Sequence, residues 1–256
     1  VIPWAEAVTR YLLSVCRDIH MPRKLKIAFC NGVDDCVHSA FRDMGFLAQP
    51  DGTFALRIAG GLGAVRPSMG LLVEEHVRPQ EVLYYVRAMI DVFSAHGNYD
   101  NRAKARTRFL QDTLGCDGLR EAFTKQVESL KMAGGLELSG LEKTEIMKQA
   151  DDNPIGHARA IPQKQSGLYA VKYHPIGGML PVEKPRQLYE LLKDMEGAEI
   201  RIAPDESLYI INLNSAEAKK VLAVTDDGAQ TEFEHSVACI GAATCQQGVR
   251  DSQSVL

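Results

Sequence analysis

The stretch Gly167-Leu168-Tyr169-Ala170-Val171-Lys172-Tyr173 is the first of five regular segments that decide the fold of the second half of the chain. It predicts a strand over 167–173. The sequence that follows predicts a helix over 185–195, strands over 199–203 and 207–213, and a helix over 215–223. This β-α-β-β-α order is most of a ferredoxin-like unit.

The first half of the chain predicts more helix than strand. Apolar residues recur with helical periodicity near the start, and Pro and Gly residues mark several of the later boundaries. Residues 135–166 are polar and predict a linker, with a helical hint over 141–150. The predicted helices cover 3–17, 34–43, 79–96, 101–114 and 117–132, and the predicted strands cover 24–29 and 54–59.

Composition excludes several classes of protein. The 256 residues are 45% hydrophobic with a net charge of −4 and a pI near 6.0, so a general nucleic-acid binder is not expected. The chain has no run of eighteen apolar residues, and we expect neither a membrane span nor a signal segment. Six cysteines are too few for a disulfide scaffold and indicate thiols in a reducing cytoplasm. Both chain ends look cut.

Lys24 and Lys26 alternate with apolar residues, so the predicted strand carries both ammonium groups on one face. Two neighbouring cations repel each other, whereas an anionic substrate or cofactor stabilises them. A lysine in such a place can also donate a proton. The pattern indicates an anion site, and a solvated strand face is the alternative.

Cys239 and Cys245 have five residues between them, most of them small. Thiolates bind iron–sulfur clusters, and small residues let the loop wrap a cluster closely. Ordinary buried thiols are the alternative. Cys30 and Cys36 have the same spacing, so two such pairs could build one metal site. We discount that site because two aspartates lie between Cys30 and Cys36 and oppose an anionic cluster.

A basic segment follows at residues 102–108. On the predicted helix, positions 102 and 106 share one face and positions 104 and 108 share the next. The pattern is typical of an exposed helix surface, and a carboxylate-binding edge is the functional alternative. The side chains concerned are Arg102, Lys104, Arg106 and Arg108.

The stretch Gly60-Gly61-Leu62-Gly63 has the spacing of neither a dinucleotide fingerprint nor a P-loop. It predicts a close approach to a ligand or a structural turn. The seven histidines show no metal-binding spacing, and we interpret His174 and His235 as structural or exposed.

Four blocks of the sequence, taken in order, resemble the siroheme-dependent sulfite and nitrite reductases. The first carries a Pro-Arg-Lys-x-Lys strand, the second a glycine loop, the third a basic helix and the fourth half of a cluster motif. The blocks are Met21-Pro22-Arg23-Lys24-Leu25-Lys26-Ile27-Ala28, Asp43-Met44-Gly45-Phe46 with Ala59-Gly60-Gly61-Leu62-Gly63, Asn101-Arg102-Ala103-Lys104-Ala105-Arg106, and Cys239-x5-Cys245.

The resemblance implies an α+β fold that is part of a pseudo-two-fold reductase, in which a ferredoxin-like half and a siroheme-binding half occur twice. Residues 1–135 resemble the first nitrite/sulfite reductase half, truncated at its N-terminus. Residues 136–228 resemble a linker and a ferredoxin-like half-domain. Residues 229–256 resemble the start of the second reductase half, truncated at its C-terminus.

The resemblance also implies a chemistry and a set of site residues. Siroheme iron would bind sulfite or nitrite and receive six electrons through a [4Fe–4S] cluster, giving sulfide or ammonia. Ferredoxin or a flavoprotein would be the donor. The implied catalytic residues are Lys24 and Lys26, and the implied cluster ligands are Cys239 and Cys245. The implied siroheme-binding residues are Arg23, Arg102, Arg106 and, through their amides, Gly60, Gly61 and Gly63.

Two departures from the family pattern matter. Ala59 stands where the glycine loop usually opens with Gly. The second cysteine pair of the family, spaced C-x3-C, is absent, as are the pocket arginines that the family has upstream. We therefore expect this chain alone not to catalyse the six-electron reduction.

Two other functions stay open at this point. One is a non-catalytic ferredoxin-like interaction module that recruits a redox partner. The other is a small metal protein that uses the two C-x5-C pairs.

Overall fold

The structure is a computed structural model, and its chain divides into two units, Val1–Lys143 and Thr144–Leu256. The structure describes residues 1–32, 35–63, 65–141, 148, 150–151 and 153–256. Some residues of the predicted helix over 34–43 and of the helical hint over 141–150 lie outside these ranges. Asp152 of the predicted linker also lies outside them.

The first unit is built on a four-stranded sheet in the order β1-β2-β3-β4. The first two strands are parallel, and the other pairs are antiparallel. The side chains of the sheet's buried face alternate along β3, as expected for a sheet covered on one side. The strands are β1 (Ile27–Cys30), β2 (Met44–Ala48), β3 (Phe54–Ile58) and β4 (Leu71–Val77).

Four α-helices complete the described part of the first unit. The central one, α2 (Val82–His96), is buried on most of its surface and packs against α1 (Ile2–Val15) and α4 (Gly115–Ala133). A short helix, α3 (Leu110–Thr113), precedes α4. The predictions over 3–17, 79–96 and 117–132 are confirmed, because apolar periodicity reports the face that a helix buries.

Aromatic rings fill the core between the sheet and α1. Phe29 stacks on Phe46 with ring centroids 4.7 Å apart, and Phe54 meets both rings edge-on. Trp4 of α1 packs edge-on against Phe54 at 5.9 Å. These contacts hold β1 against β2, and the candidate site lies where these two strands begin.

The predicted strand over 24–29 begins later than expected, at Ile27. Lys24 and Lys26 therefore precede β1, so the predicted start of this strand is wrong, and both side chains are exposed. The backbone N–H of Lys26 donates to the side chain of Asp43 at 2.8 Å, while its carbonyl accepts the N–H of Met44 in β2 at 3.0 Å.

The predicted helix over 101–114 is also wrong. The segment forms two short 3-10 turns, Arg102–Lys104 and Thr107–Phe109, followed by α3. Arg106 between the turns has extended backbone angles, φ −86° and ψ 153°. Its side chain and that of Thr107 both reach the carboxylate of Asp43, which a continuous helix would not allow.

The described part of the predicted helix over 34–43 contains only a 3-10 turn, Ser39–Phe41. Asp34 lies outside the described residues. Asp35 and His38 have φ angles of 40° and 54°, which no α-helix accepts. The Asp35 carboxylate instead accepts the backbone N–H of Ser39 at 2.8 Å and of Ala40 at 3.1 Å.

The second unit has a four-stranded antiparallel sheet in the order β5-β6-β8-β7. Along the chain, one helix, α5, follows β6 and another, α6, follows β8. The observed order β6-α5-β7-β8-α6 confirms the predicted β-α-β-β-α order. The sequence missed β5, which covers three residues in the predicted linker. The elements are β5 (Ala160–Pro162), β6 (Tyr169–Tyr173), α5 (Lys184–Leu192), β7 (Glu199–Ile202), β8 (Leu208–Leu213) and α6 (Ser215–Val224).

Polar side chains cap both ends of α6. Asn214 and Glu217 form a reciprocal capping box at its start. The guanidinium of buried Arg159 donates to the carbonyl oxygens of Leu222 and Thr225 at its end. The chain then continues through turns and two isolated β-bridges toward Cys239. With a sheet and helices in each unit, the predicted α+β class is confirmed.

Candidate functional site

A buried carboxylate, Asp43, joins the segments that the sequence singled out in the first unit. Its side chain has no exposed surface and accepts the Lys26 N–H at 2.8 Å and Arg106 Nη2 at 2.6 Å. The hydroxyl of Thr107 donates to its other oxygen. The backbone carbonyl of Asp43 also accepts the Ala59 N–H at 2.8 Å. The lysine, glycine and arginine segments therefore meet at this residue.

A small cavity of about 110 Å³ opens beside Asp43. Four cationic side chains and one carboxylate contribute to its wall. The lining residues are Lys26, Phe41, Arg42, Asp43, Gly61, Leu62, Arg106 and Arg108. Because the carboxylate already accepts hydrogen bonds from its neighbours, the remaining positive charge is available to an anion.

Two of these arginines have polar atoms that nothing in the described part of the chain satisfies. The Nε atoms of Arg106 and Arg108 are buried and lack a hydrogen-bond partner among the described residues. Burial, and then the nearby Arg106, lower the pKa of the Arg108 guanidinium. A lowered pKa means that its positive charge is poorly compensated, and a bound anion would relieve this.

The glycine loop packs against the same cations. A Cβ added to Gly63 would clash with the guanidinium of Arg108, and one added to Gly60 would lie 2.7 Å from the backbone Cα of Phe41. The amide of Gly60 donates to the Arg42 carbonyl and that of Gly61 to the Ser68 carbonyl, each at 2.9 Å. The Gly60 and Gly61 amides are therefore already hydrogen-bonded within the protein, and a role of the glycine loop in cofactor binding stays a prediction.

The predicted lysines and the remaining arginines occupy different places around this cavity. Lys26 is exposed and lines the cavity, whereas Lys24 is exposed and does not line it. Arg23 Nη1 donates to the backbone carbonyl of Arg102 at 2.8 Å, and Arg102 is itself exposed. The Pro-Arg-Lys segment and the basic segment thus lie side by side, as an anion site built from both requires.

The two predicted cluster ligands lie in the second unit. The exposed thiol of Cys239 lies 3.1 Å from the Ser252 hydroxyl, and a turn brings the Cys245 N–H to within 2.8 Å of the Gly241 carbonyl oxygen. Hydrogen bonding to Ser252, and then to the backbone of Gly241, lowers the pKa of the Cys239 thiol. A thiol that ionises readily suits a cluster ligand, although a [4Fe–4S] cluster needs four.

The four-cysteine alternative needs one cysteine pair from each unit, and it stays a prediction. Cys30 is buried, whereas Cys36 is exposed. Among the described residues, no three His, Cys, Asp or Glu side chains are gathered so that they could hold a metal ion.

Sequence reasoning missed the residues that organise the first-unit site. Asp43, Thr107 and Arg42 were not singled out, and Arg108 was named only as part of the basic segment. Asp43 opens the block that resembles the family, and its position just before an apolar run was the one usable signal. In the part of the chain that the structure describes, no helix is long and apolar enough to cross a membrane.

Comparison with protein families gives two matches. Residues 1–131 match the family described as "Nitrite and sulphite reductase 4Fe-4S domain". Residues 161–226 match the "Nitrite/Sulfite reductase ferredoxin-like half domain". The ferredoxin-like prediction for the second unit is thereby confirmed. Cys239 and Cys245 lie beyond both matched ranges.

Individual relatives agree with these matches. The ferredoxin–nitrite reductase of Synechococcus elongatus is 26% identical over 208 residues, covering 80% of this chain and 38% of its own length. The sulfite reductase [NADPH] hemoprotein beta-component of Methylorubrum populi is 22% identical, covering 93% of this chain and 40% of its own. The chain thus spans about two fifths of the length of these curated relatives.

A solved structure, that of the Mycobacterium tuberculosis NirA protein, shares the fold. The TM-score is 0.68 at 24% identity, and the match covers 88% of this chain and 40% of the other. The family's siroheme and [4Fe–4S] cluster, both predicted from the resemblance, are supported by the family match. Since that match takes in half of the chain, from residue 1 to 131, the chain belongs to the nitrite and sulphite reductase family.

Proposed function

We propose that this chain is part of an enzyme that reduces a small oxyanion, either nitrite to ammonia or sulfite to sulfide, with six electrons. Relatives named for each substrate match the chain. We infer ferredoxin as the electron donor, because several matching nitrite reductases are named for it. A cytoplasmic location remains a prediction.

The observation that carries this proposal is the cationic cavity beside Asp43. Lys26, Arg106 and Arg108 converge on about 110 Å³ of space, and the carboxylate of Asp43 is already hydrogen-bonded. Fixed cations in a partly buried site stabilise an oxyanion, and they stabilise it more as reduction adds electrons. A structural salt-bridge network would instead pair its charges within the protein.

The residues present fit the implied cofactors in part. When bound, siroheme and the cluster supply the iron and the electrons. Arg23, Arg102 and Arg106 would hold the siroheme carboxylates, since guanidinium groups bind carboxylates through two parallel hydrogen bonds. Buried Arg106 Nε, which has no partner among the described residues, supports that role. Cys239 and Cys245 would supply two of the four cluster thiolates.

The other site residues would act on the substrate and on packing. Lys26 would hold the oxyanion and deliver protons from its exposed ammonium group, and Lys24 would add charge nearby. Gly60 and Gly63 would let the backbone of the loop approach neighbouring groups closely, as their crowded Cβ positions indicate. Gly61 would line the cavity wall.

The test is turnover by the complete natural protein that carries this chain, with a chemical reductant and with nitrite or sulfite as substrate. Lys26→Met should lower kcat by roughly 100-fold or more, the usual effect of losing a charge that stabilises the transition state. Lys125→Met, on the exposed face of α4, is the matched control and should keep the rate. A Lys26→Met enzyme with unchanged kcat and full cofactor content would contradict the proposal.

A further inference from the structure

A buried imidazole lies directly after β6 in the second unit. His174 is 1% exposed, and its Nδ1 lies 3.0 Å from the hydroxyl of Ser207, which is also buried. Its Nε2 is buried and has no hydrogen-bond partner among the described residues. Because nearly all buried polar atoms are hydrogen-bonded, this exception calls for an explanation.

A second imidazole, that of His235, lies beside the first. The ring centroids are 4.9 Å apart, and the planes are inclined by 37°. Nδ1 of His235 lies 2.8 Å from the carbonyl oxygen of Thr231. A carbonyl only accepts hydrogen bonds, so Nδ1 carries the proton and neutral His235 keeps Nε2 as an acceptor. Protonation of His174 would place a charge against the ring of His235.

The two histidines mark a junction between β6 and the segment that leads to Cys239. We call residues 229–239 the thiol segment. The Ala229 N–H donates to the His174 carbonyl at 2.9 Å. Two β-bridges flank this bond, one pairing positions 175 and 228 and the other pairing positions 177 and 237. Cys239 lies two residues after position 237 of the second bridge, so its placement depends on this junction.

We propose that the His174–His235 pair positions the thiol segment against the end of β6 while His174 is neutral, and releases it when His174 takes up a proton. The histidines are positioning residues and not ligands. The inference rests on the proposed function only where it gives Cys239 the role of a cluster ligand.

Some charged groups around His174 lower its pKa, and others raise it. Burial, and then His235, lower the pKa of His174, and Lys172 adds to this. Asp205 and Glu206 raise the pKa of His174, but the charge of Asp205 is already paired with Lys172 at 2.9 Å. The folded-state pKa therefore lies below the ordinary value of 6.5. The junction is at full strength above pH 6.5 and weakens as the pH falls below it.

The test follows hydrogen exchange of the Ala229 amide in the 256-residue chain between pH 8 and pH 5, corrected for the intrinsic exchange rate. Protection should stay constant above the ordinary histidine pKa and fall by up to about tenfold per pH unit below it. His174→Gln keeps a side chain that can bond Ser207 but does not titrate, so its profile should be flat.

Two further variants keep the test decisive if His174→Gln fails to fold. His235→Gln removes an imidazole that lowers the pKa of His174, so the loss of protection below pH 6.5 should be smaller than in the wild type. His157→Gln changes an exposed histidine of the same unit and should leave the profile unchanged.

Two results would overturn the inference. One is a wild-type Ala229 profile that is flat down to pH 5 in a folded second unit, and the other is a His174→Gln profile equal to that of the wild type. None of these readouts needs a cluster. Failure of the proposed function would instead appear as absent cofactor or turnover in the complete protein, whatever the Ala229 profile.

Discussion

Removing the carboxylate of Asp43 is the perturbation that most directly tests how the first-unit site is held together. Asp43→Ala leaves three donors without an acceptor: the Lys26 N–H, the Arg106 guanidinium and the Thr107 hydroxyl. Breaking a buried ion pair by deleting one partner costs about 3–5 kcal/mol. We expect a loss of unfolding free energy in that range, because the Asp43 side chain is fully buried and that of Arg106 is 16% exposed.

Asp43→Asn removes the negative charge of the side chain but keeps nearly the same shape. The amide keeps one oxygen acceptor and nearly the same volume, but it places an NH₂ group against existing donors. The expected loss is smaller, about 2 kcal/mol, the usual scale for a hydrogen bond to a charged group.

Urea unfolding followed by tryptophan fluorescence is the assay. The single tryptophan, Trp4, lies in the first unit against Phe54, so its signal reports the unit that contains Asp43. The midpoint should fall while the slope stays unchanged, since the folded and unfolded surfaces are similar.

The matched control is Asp112→Ala. Asp112 pairs with Arg66 in the same unit, but these side chains are 45% and 36% exposed. An exposed pair contributes about 0–1 kcal/mol, so this variant should stay close to the wild type. If Asp43→Ala costs no more than Asp112→Ala, the Asp43 network does not organise the site.

Three further predictions use the same chain. Ala59 has a φ of 59°, so Ala59→Gly should raise the stability reported by Trp4 by about 1 kcal/mol; a less stable variant would contradict this. Gly60→Ala should lower the free energy of unfolding by about 1–3 kcal/mol, because the new Cβ meets the backbone of Phe41. Gly63→Ala should lower it less, because the new Cβ meets the flexible guanidinium of Arg108. Equal urea midpoints for the two variants would contradict this. Burial, and then a nearby carboxylate, raise the pKa of Tyr173 from 10.0 to about 12, so the second unit should lose stability as the pH rises from 10 toward 12. Tyr173→Phe should lose less over that range when unfolding is followed by circular dichroism, and an ultraviolet pH titration that places the Tyr173 pKa near 10 would contradict the account.

The helices were predictable where the buried face repeats with helical periodicity, as in α1, α2 and α4. The strands β2 and β4 were missed for different reasons. Met44–Ala48 is a continuous apolar run without alternation, and every residue of this inner strand is buried or half-buried. Leu71–Val77 turns from apolar to charged partway along, because β4 is an edge strand.

The site was only partly predictable because its organising contacts are distant in sequence. Asp43 meets Lys26 across 17 residues, Arg106 across 63 and Thr107 across 64. No local pattern reports such contacts, and the same contacts convert the basic segment from a predicted helix into two turns. Residue types alone did indicate Arg106, Lys26 and Gly61, which the structure brings to one cavity.

The central claim is that this chain belongs to a working siroheme and iron–sulfur enzyme that uses Cys245 as a cluster ligand. The most direct measurement is the absorption spectrum of the complete natural protein, expressed with a siroheme supply. The account predicts siroheme bands with a broad iron–sulfur shoulder, lost in Cys245→Ser and retained in Cys116→Ser, which changes an exposed cysteine of the first unit. A folded, colourless wild-type protein, or a Cys245→Ser variant with an unchanged spectrum, would contradict it.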